Sequence, residues 1–367
     1  MSFFSARFFP AFRPPPYAPN LTGRKACGLI ILAAILACLT WFALMRHEPY
    51  ILDADAVKAA SIMRRGMAAL KNMREELHLP IDPVLDPAES GLIGTDYSDL
   101  TTSIGSLSAK QTTLNPAFAG LVTVWLKQAG VSAHDPVAVC LTGSFPALNL
   151  AALSACQALD LHPTIFTSVG ASNYGANIPG FTWLDMEKRL TDLGILQVRT
   201  AFASLGGIVD TGGGLDETGY ELGKEAVQRH GARYIPENGV PGLLPDMMRR
   251  MKIYTRNGMP RAFINVGGGV TSLGWVSEAA LLDNGLLKRI PSTDSRQRGI
   301  IFRMYEQHVP VIHLINIERL ASRYGLPIAP QTVPDETDGK KNRRHTLIGT
   351  ALLFALWWIF SVRMILR

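Results

Sequence analysis

The sequence predicts an α/β protein: an open, mostly parallel sheet with flanking helices, framed by two transmembrane helices. Three observations carry this. Two long uncharged apolar runs lie near the ends of the chain. A strand–helix–strand unit is readable between residues 136 and 168, and β-rich and helical segments go on alternating after it. The composition also points away from a wholly soluble chain: 47% of the 367 residues are hydrophobic and only 18% charged, against about 25% charged in ordinary soluble domains.

The N-terminal elements come first. Residues 1–24 contain Pro10, Pro14, Pro15, Pro16 and Pro19 and read as a flexible tail. The first span covers 25–46; its uncharged run, 27–45, is long enough to cross a bilayer, with Arg24, Lys25 and Arg46 at its ends. The second span covers 346–362, after a polar basic tether at 333–345, and 363–367 is a short tail. Two spans place both termini on one side. The acid-free tail with Arg7, Arg13, Arg24 and Lys25 sets the N-terminus in the cytoplasm and the central region outside, although Lys340, Lys341, Arg343 and Arg344 pull the other way.

Residues 47–332 form the α/β domain. Asp53 or Asp55 caps a helix whose stripe is Val57, Ala60, Met63, Met67, Leu70, Met73 and Leu77, and Pro80 and Pro83 end it. Strands follow at 136–141 and 163–168, joined by a helix at 146–159, which makes a βαβ unit. Further strands fall at 262–266 and 309–314. Helices are expected at 185–192, 218–230, 245–255, 273–283 and 317–324.

The net charge of +6 is concentrated in clusters beside apolar runs, so no nucleic-acid partner is expected. Four cysteines, two of them in the first apolar run, exclude a disulfide scaffold; Cys140 and Cys156 read as buried thiols. No H-E-x-x-H or C-x-x-C occurs, and no metal or cofactor is expected. The glycine triplets 212–214 and 267–269, centred on Gly213 and Gly268, could form anion nests or pack tightly between strand and helix. Tyr220 and Trp275 stand where a P-loop needs lysine, which excludes a Walker NTPase.

The candidate ligand residues lie at predicted strand ends and in one hydroxyl-rich loop. Gly143 and Ser144 follow a buried strand and precede Pro146; they can receive an anion at the helix start, or Ser144 can simply cap it. Lys110, with Thr112 and Thr113, can clamp an anionic group, while Asn115 caps the next helix. Asp185 is available as an acid with Glu187, or as half of a capping box with Thr182. Asp210 and Asp216 flank the first triplet as a weak cation pair.

Several runs, in order, resemble the poly-gamma-glutamate system protein family. They are GLIGTDYS at 91–98, LTTSIGSLSAKQTTLNP at 100–116, GSFPALN at 143–149, GASNYGAN at 170–177, FTWLDM at 181–186, NVGGG at 265–269 and PVIHLIN at 310–316. The resemblance covers most of 53–330. It implies a bacterial inner-membrane accessory component of poly-γ-glutamate biosynthesis or export, serving capsule production. Its partners would be the polymer or another carboxylate ligand, and other membrane subunits of a synthase or exporter. It assigns no catalytic residue, and a hydrolase or transferase of γ-glutamyl chains or a non-catalytic scaffold are the alternatives.

Overall fold

The first helix of the α/β region begins where the sequence supplies its cap. In the computed structural model, which describes residues 28, 31–37, 52–335, 352, 355 and 357–359, the Asp53 carboxylate accepts the Ala56 N–H at 3.0 Å. Helix α1 (Ala54–Glu76) buries Ala56, Ala59, Ala60, Met63, Met67 and Leu70. Val57 and Leu77, placed in the stripe by sequence, are exposed; the buried face is rotated towards Ala56 and Ala59. Arg74 on that face is buried, and its guanidinium donates to the carbonyls of Gly91 and Pro80 at 3.1 and 2.7 Å. It ties down the loop that follows.

Next come β1 (Thr101–Ser103), α2 (Leu107–Thr112) and α3 (Ala117–Gln128). The Ser106 side chain accepts the Ala109 N–H at the start of α2, and Asn115 accepts the Ala117 N–H at the start of α3. The βαβ unit follows as β2 (Pro136–Thr142), α4 (Pro146–Ala158) and β3 (His162–Ser168). The short strand β4 (Ala171–Ser172) pairs parallel with β1. β5 (Asn177–Ile178) and β6 (Phe181–Thr182) lead into α5 (Trp183–Asp192), where Thr182 and Asp185 form a complete capping box.

The second half contains β7 (Phe202–Ser204), β8 (Gly206–Gly207), β9 (Thr211–Gly213), α6 (Glu217–His230) and β10 (Arg233–Tyr234). Then come α7 (Gly239–Tyr254), β11 (Phe263–Val266), α8 (Val270–Leu273), β12 (Gly285–Leu286), α9 (Ile300–Glu306), β13 (Val311–Leu314) and α10 (Ile317–Tyr324). The helices Leu107–Thr112 and Ile300–Glu306 were not expected, and two expected ones differ in extent. α7 starts earlier and holds Pro245 inside it. The helix expected over 273–283 is divided into α8 and a 3₁₀ turn, Ser277–Leu281, because Gly274 takes a left-handed φ of +88°.

The main sheet has the order β10-β7-β3-β2-β11-β13-β12 and is parallel except for the edge pair β12–β13. Alternate residues face opposite layers, as strand geometry requires. Val137, Val139, Leu141, Ile165, Ile264 and Ile312 pack under α1, α3, α4, α5 and α10. Ala138, Cys140, Phe166, Phe202, Phe263 and Val311 pack under α7 and α9. Both faces are covered, which explains why these strands read as continuous apolar runs.

The expectation of two transmembrane helices, and with it of a two-span inner-membrane protein with an outside domain, is corrected. Among the described residues no helix is long and apolar enough to cross a membrane. Residues 28 and 31–37 are helical. The rest of the 27–45 run and most of 346–362 lie outside the described residues.

Candidate functional site

Among the parallel strands of the main sheet the order reverses once. From β2 the chain moves through β3 and β7 to β10, then returns to the other side of β2 to lay down β11 and β13. In open α/β sheets the crevice at such a reversal, at the carboxyl ends of the strands, is where ligands collect. A cavity of about 770 Å³ lies there, with Thr142 at the end of β2 on one side and 267–269 after β11 on the other.

The wall beside β2 depends on Gly143. A Cβ there would stand 2.2 Å from the Val169 carbonyl oxygen, so no other residue fits. The Gly143 carbonyl accepts the Ala176 N–H at 2.8 Å, which binds this turn to the 169–176 segment. Ser144 then faces the cavity. It does not cap α4, which has no side-chain cap; its Oγ accepts the Ser172 N–H at 3.0 Å.

Lys110 enters from α2. It is 2% exposed, and its Nζ donates to the Ser172 Oγ at 2.8 Å and to the Ser144 carbonyl. The Nζ also lies 3.6 Å from the centre of the Phe145 ring. No carboxylate is paired with it among the described residues. Burial alone pulls its pKa down from 10.5 to about 7, since desolvation penalises the charged form.

Across the cavity, Gly267 adopts a φ of +86° and Gly268 lines the wall. The Val209–Asp210 turn also takes left-handed φ values, and it brings the Asp210 carboxylate to the Thr271 N–H of α8 at 2.6 Å. Asn316, Glu318 and Arg319 contribute the remaining polar wall at the start of α10, which again has no side-chain cap.

Of the residues selected from sequence, Lys110, Ser144, Asp210 and Gly268 meet in this cavity, and Gly143 stands immediately behind its wall. The others lie elsewhere. Thr112 donates to the Ser108 carbonyl and accepts the Ala329 N–H, and Thr113 donates to the Lys110 carbonyl. Gly213 pairs with Gly207 in the β8–β9 ladder. Asp185 is held by the capping box and by Arg229 at 2.9 Å. Glu187 is fully buried against His230 and Thr200, and Asp216 caps α6. Among the described residues no three His, Cys, Asp or Glu side chains are grouped to hold a metal. Cys140 and Cys156 are free buried thiols whose pKa burial raises, that of Cys156 to about 12.

Ser172 and Asn316 were not selected from sequence. Ser172 sits in the 170–177 run, but nothing in its spacing from Lys110, 62 positions away, signals contact. The parallel pairing of β1 with β4, and the bonds both residues make to Ser144, bring them together.

No family model, curated protein or solved structure matches the chain. These comparisons therefore give no support to the terms poly-γ-glutamate or capsule.

Proposed function

We propose that the chain binds a carboxylate- or phosphate-bearing ligand in the strand-end cavity. The coincidence of that cavity with the reversal of order among the parallel strands carries the reading. The anionic character follows from the walls. α4 and α10 both begin at the cavity without a side-chain cap, so first-turn N–H groups remain for a ligand and the helix dipoles favour negative charge. The two acids present are engaged: Asp210 accepts the Thr271 N–H and Glu318 accepts the Ser106 hydroxyl. Arg319 supplies a positive charge at the exposed edge.

Lys110 is poorly suited to be the clamp expected from sequence, because its Nζ is already bonded to Ser144 and Ser172 and its charged form is disfavoured. Gly268 gives a sharper test. A Cβ there would make only ordinary contacts, 3.6 Å to Ile315 and 3.7 Å to Leu273, so Gly268→Asp adds a carboxylate without a clash. Calorimetric titration of oligo-γ-glutamate and of inorganic phosphate into the whole protein measures the effect. Binding should be lost or fall at least tenfold in Gly268→Asp, with the melting transition retained. Equal binding to both proteins would remove the cavity as the site.

A further inference from the structure

We propose that this pocket also performs acyl transfer, with Ser172 as nucleophile and Lys110 as its general base, on carboxylate-bearing amides or esters. The inference rests on the binding reading above for the choice of substrate and on separate geometry for the chemistry. A serine hydroxyl needs a neighbouring base to become a nucleophile. Ser172 has one at 2.8 Å, inside the hydrogen-bond reach that proton abstraction requires. Both residues line the cavity.

The surroundings suit the base role. A lysine serves as a base only when neutral, and burial away from any carboxylate favours that form. The other charged groups lining the cavity are Asp210, Glu318 and Arg319. None forms an ion pair with Lys110, and the two acids are bonded elsewhere. The Ser144 carbonyl accepts one Nζ hydrogen and so fixes the amine beside Ser172. In the ammonium form Nζ donates to the Ser172 Oγ; once neutral, its lone pair accepts the hydroxyl proton from the same place. The Ser144 Oγ accepts the Ser172 N–H, which leaves the Ser144 hydroxyl proton for an oxygen on the substrate. Ser144 is thus a positioning residue and an oxyanion donor.

The step balances without a cofactor. The Ser172 Oγ forms a bond to the substrate carbonyl carbon while its proton passes to Lys110 Nζ. The bond from that carbon to the leaving nitrogen or oxygen breaks, and Nζ returns the proton to the leaving amine or alcohol. A solvent water then attacks the acyl-serine, gives a proton through Nζ to the Ser172 Oγ, and the carboxylic acid departs.

The experiment uses the whole protein with a fluorophosphonate probe, and peptide mass spectrometry locates the adduct. Ser172 should be labelled at a rate that rises through about pH 7 and then levels as Lys110 loses its proton. Ser172→Ala should abolish the adduct. Lys110→Met should slow labelling by about 100-fold or more, the usual contribution of a general base, and erase the inflection near pH 7. Far-UV dichroism and oligo-γ-glutamate binding report whether each variant is folded. Wild-type protein that binds the oligomer yet never acquires the adduct overturns the dyad and leaves the binding pocket standing. Labelling at Ser172 with no oligomer binding overturns the anionic ligand and leaves the dyad. Unchanged labelling of a folded Lys110→Met removes the lysine as base, and with it the proposal.

Discussion

A lysine buried without a carboxylate partner destabilises the fold whenever it is charged, and Lys110 is such a residue. Its unfolded pKa is near 10.5 and its folded pKa about 7. Below pH 7 both states hold the proton and the penalty is complete. Between 7 and 10.5 the unfolded chain holds more protons than the folded one, so unfolding free energy rises with pH. The limiting slope is about 1.4 kcal/mol per pH unit. Wild-type stability minus that of Lys110→Met should therefore be flat below pH 7 and climb by about 1 kcal/mol per unit between pH 7 and 10. Urea denaturation across that range measures it. A flat difference throughout would mean that the folded lysine keeps an ordinary pKa. The same position shows where sequence reading stopped: Lys110 was recognisable as a lone cation among hydroxyls, but its burial is a property of the assembled loop.

At the scale of elements, legibility followed the range of the interaction. Local signals worked: Asp53 before α1, Asn115 before α3, Pro146 opening α4, and the Thr182–Asp185 box at α5 all have short sequence spacings and occur as read. The buried strands β2, β3, β11 and β13 were visible because both faces of the sheet are covered. The two- and three-residue strands β4, β7, β10 and β12 carry too few residues for a periodic signal. Of the two roles open to Ser144, the cap does not occur, because its actual partner, the Ser172 N–H, lies 28 positions away. The capping box allows a direct test. Thr182→Ala removes the side chain that accepts the Asp185 N–H and donates to the Asp185 carboxylate. It should cost about 1 kcal/mol, within the usual 0.5–2 for a lost cap. Because Glu187, two residues beyond Asp185 in the same helix, bonds the buried Thr200 and His230, the loss should appear in global unfolding and not only as local fraying. A Thr182→Ser variant should recover most of it.

At the scale of the whole molecule, Arg250 joins separate parts of the second face of the sheet. Its guanidinium, 3% exposed, donates to both Glu237 carboxylate oxygens at 2.5 and 2.6 Å. It also reaches Ser204 of β7 at 3.3 Å and Cys140 of β2 at 3.7 Å, and lies 3.9 Å from the Phe166 ring centre on β3. Three central strands, the segment before α7 and α7 itself are tied through one side chain. A buried ion pair adds little net stability over an apolar replacement, but removing one partner leaves the other charge stranded at a cost of about 3–5 kcal/mol. Arg250→Met should therefore lower the unfolding free energy by about that amount, because the Glu237 carboxylate loses its counter-ion in a site with 1% side-chain exposure. The double variant Glu237→Gln/Arg250→Met removes both charges at once. Its destabilisation should fall short of the sum of the two single variants by more than about 1 kcal/mol, the signature of directly coupled neighbours. Urea denaturation of the four proteins at one pH supplies the cycle. Strict additivity would mean that Glu237 and Arg250 contribute independently and that the guanidinium acts mainly through its packing on Phe166. Since the chain leaves β7 at Ser204 and continues through Leu205 to the cavity-wall residues Gly207 and Ile208, a coupled result would also place the support of that wall on the covered side of the sheet.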